Sequence, residues 1–245
     1  HTGGYGTVRF PNYADNDCSV QATNCEVDLV RDGYSVYDLL NYSAYVQDTI
    51  TKGRTTLQLG LRYDYNKDTA EASSIVANPL GGPWLPAIDF PGADPGVAFN
   101  DFSPRLGITY NVTGDGRTLA RANYARYFGQ VGNGGVAATV NPVGSTTLRY
   151  PWIDANRNQV AENGEILLSA NPRSASTNWS AANPARTESA NSVDPNLKND
   201  TTDEFILGLD REVGRGFAVG GSYIYRKYTN FWWSDRVGIT SADWT

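Results

Sequence analysis

The residues best suited to chemistry lie in one stretch, Asp154-Ala-Asn156-Arg-Asn158-Gln-Val160-Ala-Glu162-Asn-Gly-Glu165. Its oxygen ligands would occupy positions 1, 3, 5, 9 and 12 of a twelve-residue loop, the calcium spacing of an EF-hand. Asp154, Asn156 and Asn158 would supply side-chain oxygens, Val160 a backbone carbonyl and Glu165 a bidentate carboxylate. Ca2+ is the one cofactor this sequence suggests. Position 6, usually Gly, is Gln159, and Pro151-Trp152 stands where a helix would lead in. The competing reading is an ordinary polar loop, rich in Asn and Asp because turns favour them.

Cys18 and Cys25 lie seven positions apart in a polar stretch. They can close a small disulfide loop in an oxidising compartment; a pair of free thiols is the alternative. The only histidine is His1, so no internal Ser–His–Asp arrangement can form, and two Cys with one His cannot build a tetrahedral zinc site. No enzymatic activity is expected. Gly132-Asn-Gly-Gly135 follows a strand without leading into a helix, which predicts a flexible loop and not a phosphate cradle.

The elements that position these residues repeat three times: strand, tight Gly turn, strand, long polar stretch. The turns fall at Lys52-Gly53-Arg54, at Thr113-Gly114-Asp115-Gly116 and at Gly214-Arg215-Gly216. The strands alternate with period two. Leu57, Leu59, Leu61, Tyr63 and Tyr65 oppose Gln58, Gly60, Arg62 and Asp64. Leu106, Ile108 and Tyr110 oppose Arg105, Gly107 and Thr109, and Phe205, Leu207 and Leu209 oppose Glu204, Gly208 and Asp210.

A soluble adhesin-like sandwich and a membrane barrel both alternate in this way. Strands of about ten residues and the strict alternation of short turns with very long connections favour the barrel, whose apolar face meets lipid. Tyr63, Tyr65, Tyr124, Tyr127, Phe128, Tyr223, Tyr225, Tyr228, Phe231, Trp232 and Trp233 gather at strand ends, as a membrane-boundary girdle would. On the opposite face, Arg62, Arg105, Arg121 and Arg226 are predicted to face the lumen, charge-paired with Asp64, Asp210 and Glu204. No apolar run reaches the 18 residues of a transmembrane helix. A net charge of -6 argues against nucleic acid.

Three stretches resemble TonB-dependent receptors. They are Ala44-Tyr-Val-Gln-Asp48 with Leu57-Gln-Leu-Gly-Leu-Arg-Tyr-Asp64; Phe102-Ser-Pro-Arg-Leu-Gly-Ile-Thr-Tyr110 with Gly114-Asp-Gly-Arg-Thr118 and Ala120-Arg-Ala-Asn-Tyr124; and Asp194-Pro-Asn-Leu-Lys198 with Thr202-Asp-Glu-Phe205 and Leu207-Gly-Leu209. The resemblance covers about half the chain and is greatest to the Oar-like group. It implies a bacterial outer-membrane location, a 22-stranded barrel around a plug domain, energy from the TonB complex and uptake of a scarce nutrient. A structural envelope barrel whose loops contact partner proteins is the alternative function.

The fold class expected is all-β: an antiparallel transmembrane β-barrel segment, about six strands of a larger barrel, with long extracellular loops. Hairpins are expected at 37–65, 102–128 and 202–231, and loops at 1–36, 66–101, 129–201 and 232–245. With no Met and no leader-like start, the chain reads as processed or cut from something longer. Six strands leave two open edges that lipid does not tolerate, so the remainder of the barrel, or a partner, must close the sheet.

Overall fold

In the computed structural model the residues described are 5–9, 18–19, 25–214 and 216–238. The strands are β1 (Gly6–Arg9), β2 (Glu26–Arg31), β3 (Tyr37–Lys52), β4 (Thr55–Ala70), β5 (Ser73–Ile75), β6 (Ile88–Phe90), β7 (Phe99–Asn111), β8 (Thr118–Phe128), β9 (Thr146–Pro151), β10 (Ser174–Ala175), β11 (Thr201–Glu212) and β12 (Ala218–Thr229). Single 3-10 turns occur at Gly82–Trp84 and Ala137–Thr139. The chain divides into two units, one from residues 1–39, 68–96 and 133–194 and the other from 40–67, 97–132 and 195–245.

The second unit is built on a six-stranded sheet in the order β12-β11-β8-β7-β4-β3. The pairs β12–β11, β11–β8, β8–β7 and β7–β4 run antiparallel, and tight Gly turns join β3 to β4, β7 to β8 and β11 to β12. Gly53, Gly114, Gly116 and Gly214 have φ of 61°, 84°, 81° and 91°, which side-chain-bearing residues rarely adopt. The Asn111 side-chain oxygen accepts the N–H groups of Gly114 and Gly116 and pins the middle turn. Arg215, in the third turn, lies outside the described residues.

Register fixes what each face carries, because residues directly opposite one another share a face. One face carries Leu57, Leu59, Leu61, Leu106, Ile108, Phe205, Leu207, Leu209, Val219 and Tyr223. These side chains are uncovered: Leu209 is 54% exposed and Tyr223 63%. An apolar sheet face of this extent is not the interior of a sandwich, which a second sheet would bury; lipid is the covering it requires. The soluble-sandwich reading therefore fails. The six strands hold 11 to 16 residues, enough for a tilted membrane crossing. Among the described residues the sheet is open, with β12 and β3 at its edges.

The aromatic girdle needs one correction. Tyr42 stacks on Tyr65 at 5.8 Å and Tyr63 meets Phe102 at 5.0 Å on the apolar face near the strand ends. Tyr127 and Tyr228, however, both oppose Thr202 and sit on the polar face.

The first unit corrects the expectation of plain loops at 1–36, 66–101 and 129–201. These stretches contain a four-stranded sheet, β1-β2-β9-β10, and a β5-β6 pair. Val27, Leu29, Leu148, Tyr150 and Trp152 are wholly buried with Cys18, Cys25 and Leu85 in one cluster. Ile75, Ile88, Phe90, Ala137 and Val143 form a second. Short strands with alternate residues buried give this unit a core of its own. β4 also runs on to Ala70, past the expected end at Tyr65.

Candidate functional site

The polar face of the six-stranded sheet gathers the arginines that the alternation singles out. Arg62 forks onto Asp64, with contacts of 2.8 to 3.0 Å. Arg121 pairs with Asp210 and Arg226 with Glu204. Arg105 differs: its guanidinium lies over the Tyr127 ring, 5.4 Å from the centroid. Period two puts these residues on one face, and antiparallel register sets Arg105 beside Ala125, Ala125 beside Glu204, and Glu204 beside Arg226. Solvent screens exposed pairs of this kind, so their consequence is a polar, hydrated wall more than stability.

Within this wall a recess of about 210 Å³ is lined by Asn41, Arg62, Asp64, Asp101, Arg105 and Tyr127 among others. Asn41 donates to Asn66 at 2.7 Å, and buried Asn199 donates to Asp101 at 2.8 Å and to the Gly129 carbonyl at 2.6 Å. A second recess is lined by Tyr127, Thr202, Glu204, Arg226 and Tyr228. Fixed charges and tyrosines around hydrated space suit a polar ligand or a polar protein segment.

In the first unit, the loop 154–165 folds around its first residue. Asp154 accepts the N–H groups of Asn158 and Gln159 at 3.0 and 2.9 Å, and Asn156 and Asn158 accept N–H groups two residues on. Glu165 accepts from Ala155 and Glu162. Arg157 and Gln159 take φ of 61° and 59°, so Gln159 adopts the conformation that Gly would supply at position 6. Among the described residues no group of three or more His, Cys, Asp or Glu is close enough to hold a metal ion. Cys18 and Cys25 are joined in a disulfide. The Cys18 carbonyl accepts the Asp154 N–H at 2.8 Å and that of Cys25 accepts Trp152 at 3.1 Å, so the bridge braces the start of the loop.

The backbone from Gly134 to Ala137 holds an internal carboxylate. The Asp68 carboxylate, 2% exposed, accepts the N–H groups of Gly134, Val136 and Ala137 at 3.0 to 3.1 Å. Nothing in the sequence ties Asp68 to a segment 66 residues away.

Two titrating groups set pH limits on the first unit. Burial pushes Asp28 up, but the hydrogen bonds and charges of Arg149 and Arg9 outweigh it and hold the carboxyl below its usual value. That contribution is present above the ordinary carboxylate pKa and is lost as pH falls through the lowered one. Tyr150, fully buried and donating to the Ser169 carbonyl, has its phenol pushed by burial from 10.0 up to about 12. Its neutral form is therefore favoured in the fold, with full effect below pH 10 and loss as pH rises through about 12. In an alkaline titration followed by tyrosinate absorbance and Trp fluorescence, the first unit is expected to open in that window. In Tyr150→Phe the opening should move to higher pH; an unchanged midpoint would contradict the assignment.

Residues 28–238 match the family model described as an outer membrane beta barrel domain. The TonB-dependent transporter Oar of Myxococcus xanthus is 26% identical over 196 residues, which cover 74% of this chain. The chain matches only 17% of that relative's length. No solved structure matches.

Proposed function

The chain belongs to the outer membrane beta barrel domain family, and on that premise we propose that it is part of the barrel of an Oar-like TonB-dependent transporter that takes up a scarce nutrient. Its location is the bacterial outer membrane. The observation that carries the transport reading is the charged wall of Arg62, Arg105, Arg121 and Arg226 on the face turned from lipid, in a chain similar to a transporter. In this reading the rest of the barrel closes on β3 and β12, a plug contacts the wall, and the TonB complex supplies energy. Crosslinking of the full-length protein to the periplasmic domain of TonB tests it. A specific crosslink is expected; none, with the protein folded in the outer membrane, would favour the alternative of a structural barrel. What supports that alternative is the folded first unit with its charged strand face of Arg9, Asp28, Glu26, Arg149 and Arg173, suited to protein partners. No catalytic role is proposed.

We also propose Ca2+ at Asp154, Asn156, Asn158, Val160 and Glu165. The support is the turn geometry, with left-handed residues at positions 4 and 6 of the loop. Calorimetry of the intact protein is expected to show heat on adding calcium, reduced in Asp154→Ala. Absence of heat would overturn the assignment.

A further inference from the structure

On β8, β11 and β12 the apolar face of the six-stranded sheet carries charges near one end. Arg126 on β8, Asp203 on β11 and Lys227 on β12 lie side by side in register, in three adjacent strands. Each is two residues from the strand end that leads into a long connection or beyond β12. Below them come Tyr124, Phe205 and Tyr225, themselves in register, and then Leu207 and Leu209. On β11 the next charge on this face is Arg211. Asp203 and Arg211 are about 27 Å apart along the strand, or about 20 Å across the membrane at a tilt of about 40°. That height is close to the apolar band of a membrane barrel, about 25 Å. The cluster thus stands at one membrane boundary, on the outside wall of the barrel.

Its internal geometry is fixed. Arg126 Nε and Nη2 donate to the two Asp203 oxygens at 2.8 and 3.0 Å, and the Tyr124 hydroxyl donates to the same carboxylate at 2.7 Å. Asp203 spends its oxygens on holding the guanidinium plane and leaves Nη1 out of the pair. The exposed Lys227 adds a second cation across the strand, so the group carries one net positive charge. Long side chains that merely reach for water need neither a buttressing carboxylate nor a phenol.

We propose that Arg126 and Lys227 bind the phosphate of an outer-leaflet lipid, with Asp203 and Tyr124 as positioning residues. A guanidinium held in one plane beside an ammonium matches a tetrahedral phosphate in charge and donors. The acyl chains would lie along Phe205, Leu207 and Tyr225. This inference rests on the barrel reading above, with the long connections outside the cell.

The test uses the full-length protein in detergent micelles and diphosphorylated lipid A as the probe, compared with the same lipid after enzymatic removal of its phosphates. Native mass spectrometry is expected to show at least tenfold weaker retention of the dephosphorylated lipid, and of the intact lipid by R126Q/K227Q. Arg211→Gln, on the same face at the other boundary, should change retention less than twofold. R126K/K227R should retain lipid, which separates lost charge from a misfolded variant. Equal retention of both lipids would overturn the proposal. So would displacement by millimolar inorganic phosphate, which would make free phosphate the ligand. An epitope tag after Gly132 should be reached by antibody on intact cells. A tag reached only in broken cells would overturn the orientation and so the outer leaflet as source. A reachable tag with no phosphate dependence would overturn the lipid site alone.

Discussion

Leu207→Arg is expected to cost the assembled barrel about 3 kcal/mol and to deplete folded protein from the outer membrane. Leu207 lies midway along β11 on the apolar face, opposite Ala122 and Tyr223. An arginine at the bilayer midplane costs about 2–4 kcal/mol, falling toward the boundaries. Ser222→Arg is the control. Ser222 opposes Gly208 on the polar face, one residue away in register, and there the new charge would stay hydrated. Its cost should be within about 0.5 kcal/mol. Denaturant unfolding in micelles measures both. Equal costs would mean that the two faces do not differ in their surroundings.

Asp68→Ala is expected to destabilise the first unit by about 3 kcal/mol. It strands three amide donors, two of whose bonds to Asp68 are buried, and each lost bond of this kind costs about 1–3 kcal/mol with partial relaxation. Hydrogen exchange of Gly134, Val136 and Ala137 should accelerate by about a hundredfold, since 1.4 kcal/mol corresponds to a factor of ten. Asp68→Asn keeps one acceptor and loses the charge, so it should fall between. Unchanged protection at all three amides in Asp68→Ala would show that the carboxylate does not organise the segment.

The barrel strands were legible because their two surroundings differ along every strand. Leu57 to Tyr65 and Phe205 to Leu209 write the contrast of lipid and lumen into alternate residues, and the Gly turns mark the ends. That the arginines and acids share a face follows from period two, but which meet, Arg121 with Asp210 and Arg226 with Glu204, is set by register. Arg105 on Tyr127 did not, since a tyrosine near a strand end reads equally as girdle or wall until register decides. The first unit was hidden for a different reason. Its strands have two to six residues and pair across long separations, Val27 with Tyr150 for example, so their alternation is too short to announce them. Asp68 in its amide cradle is the same case: a contact made by backbone groups leaves no trace in residue type. Arg126 stands among apolar-face positions on β8, and Asp203 and Lys227 join it only through the register of three strands.

The most direct test of the central claim, that one sheet face meets lipid and the other water, is a quenching scan along β11 and β12. Single cysteines at positions 204 to 209 and 222 to 226 of the full-length protein in vesicles would carry a fluorophore, with brominated acyl chains as the lipid quencher and iodide as the aqueous one. The account predicts period two: lipid quenching at Phe205, Leu207, Leu209, Tyr223 and Tyr225, and aqueous quenching at Glu204, Gly208, Ser222 and Arg226. Aqueous quenching at both sets, in protein that needs no detergent for extraction, would contradict it.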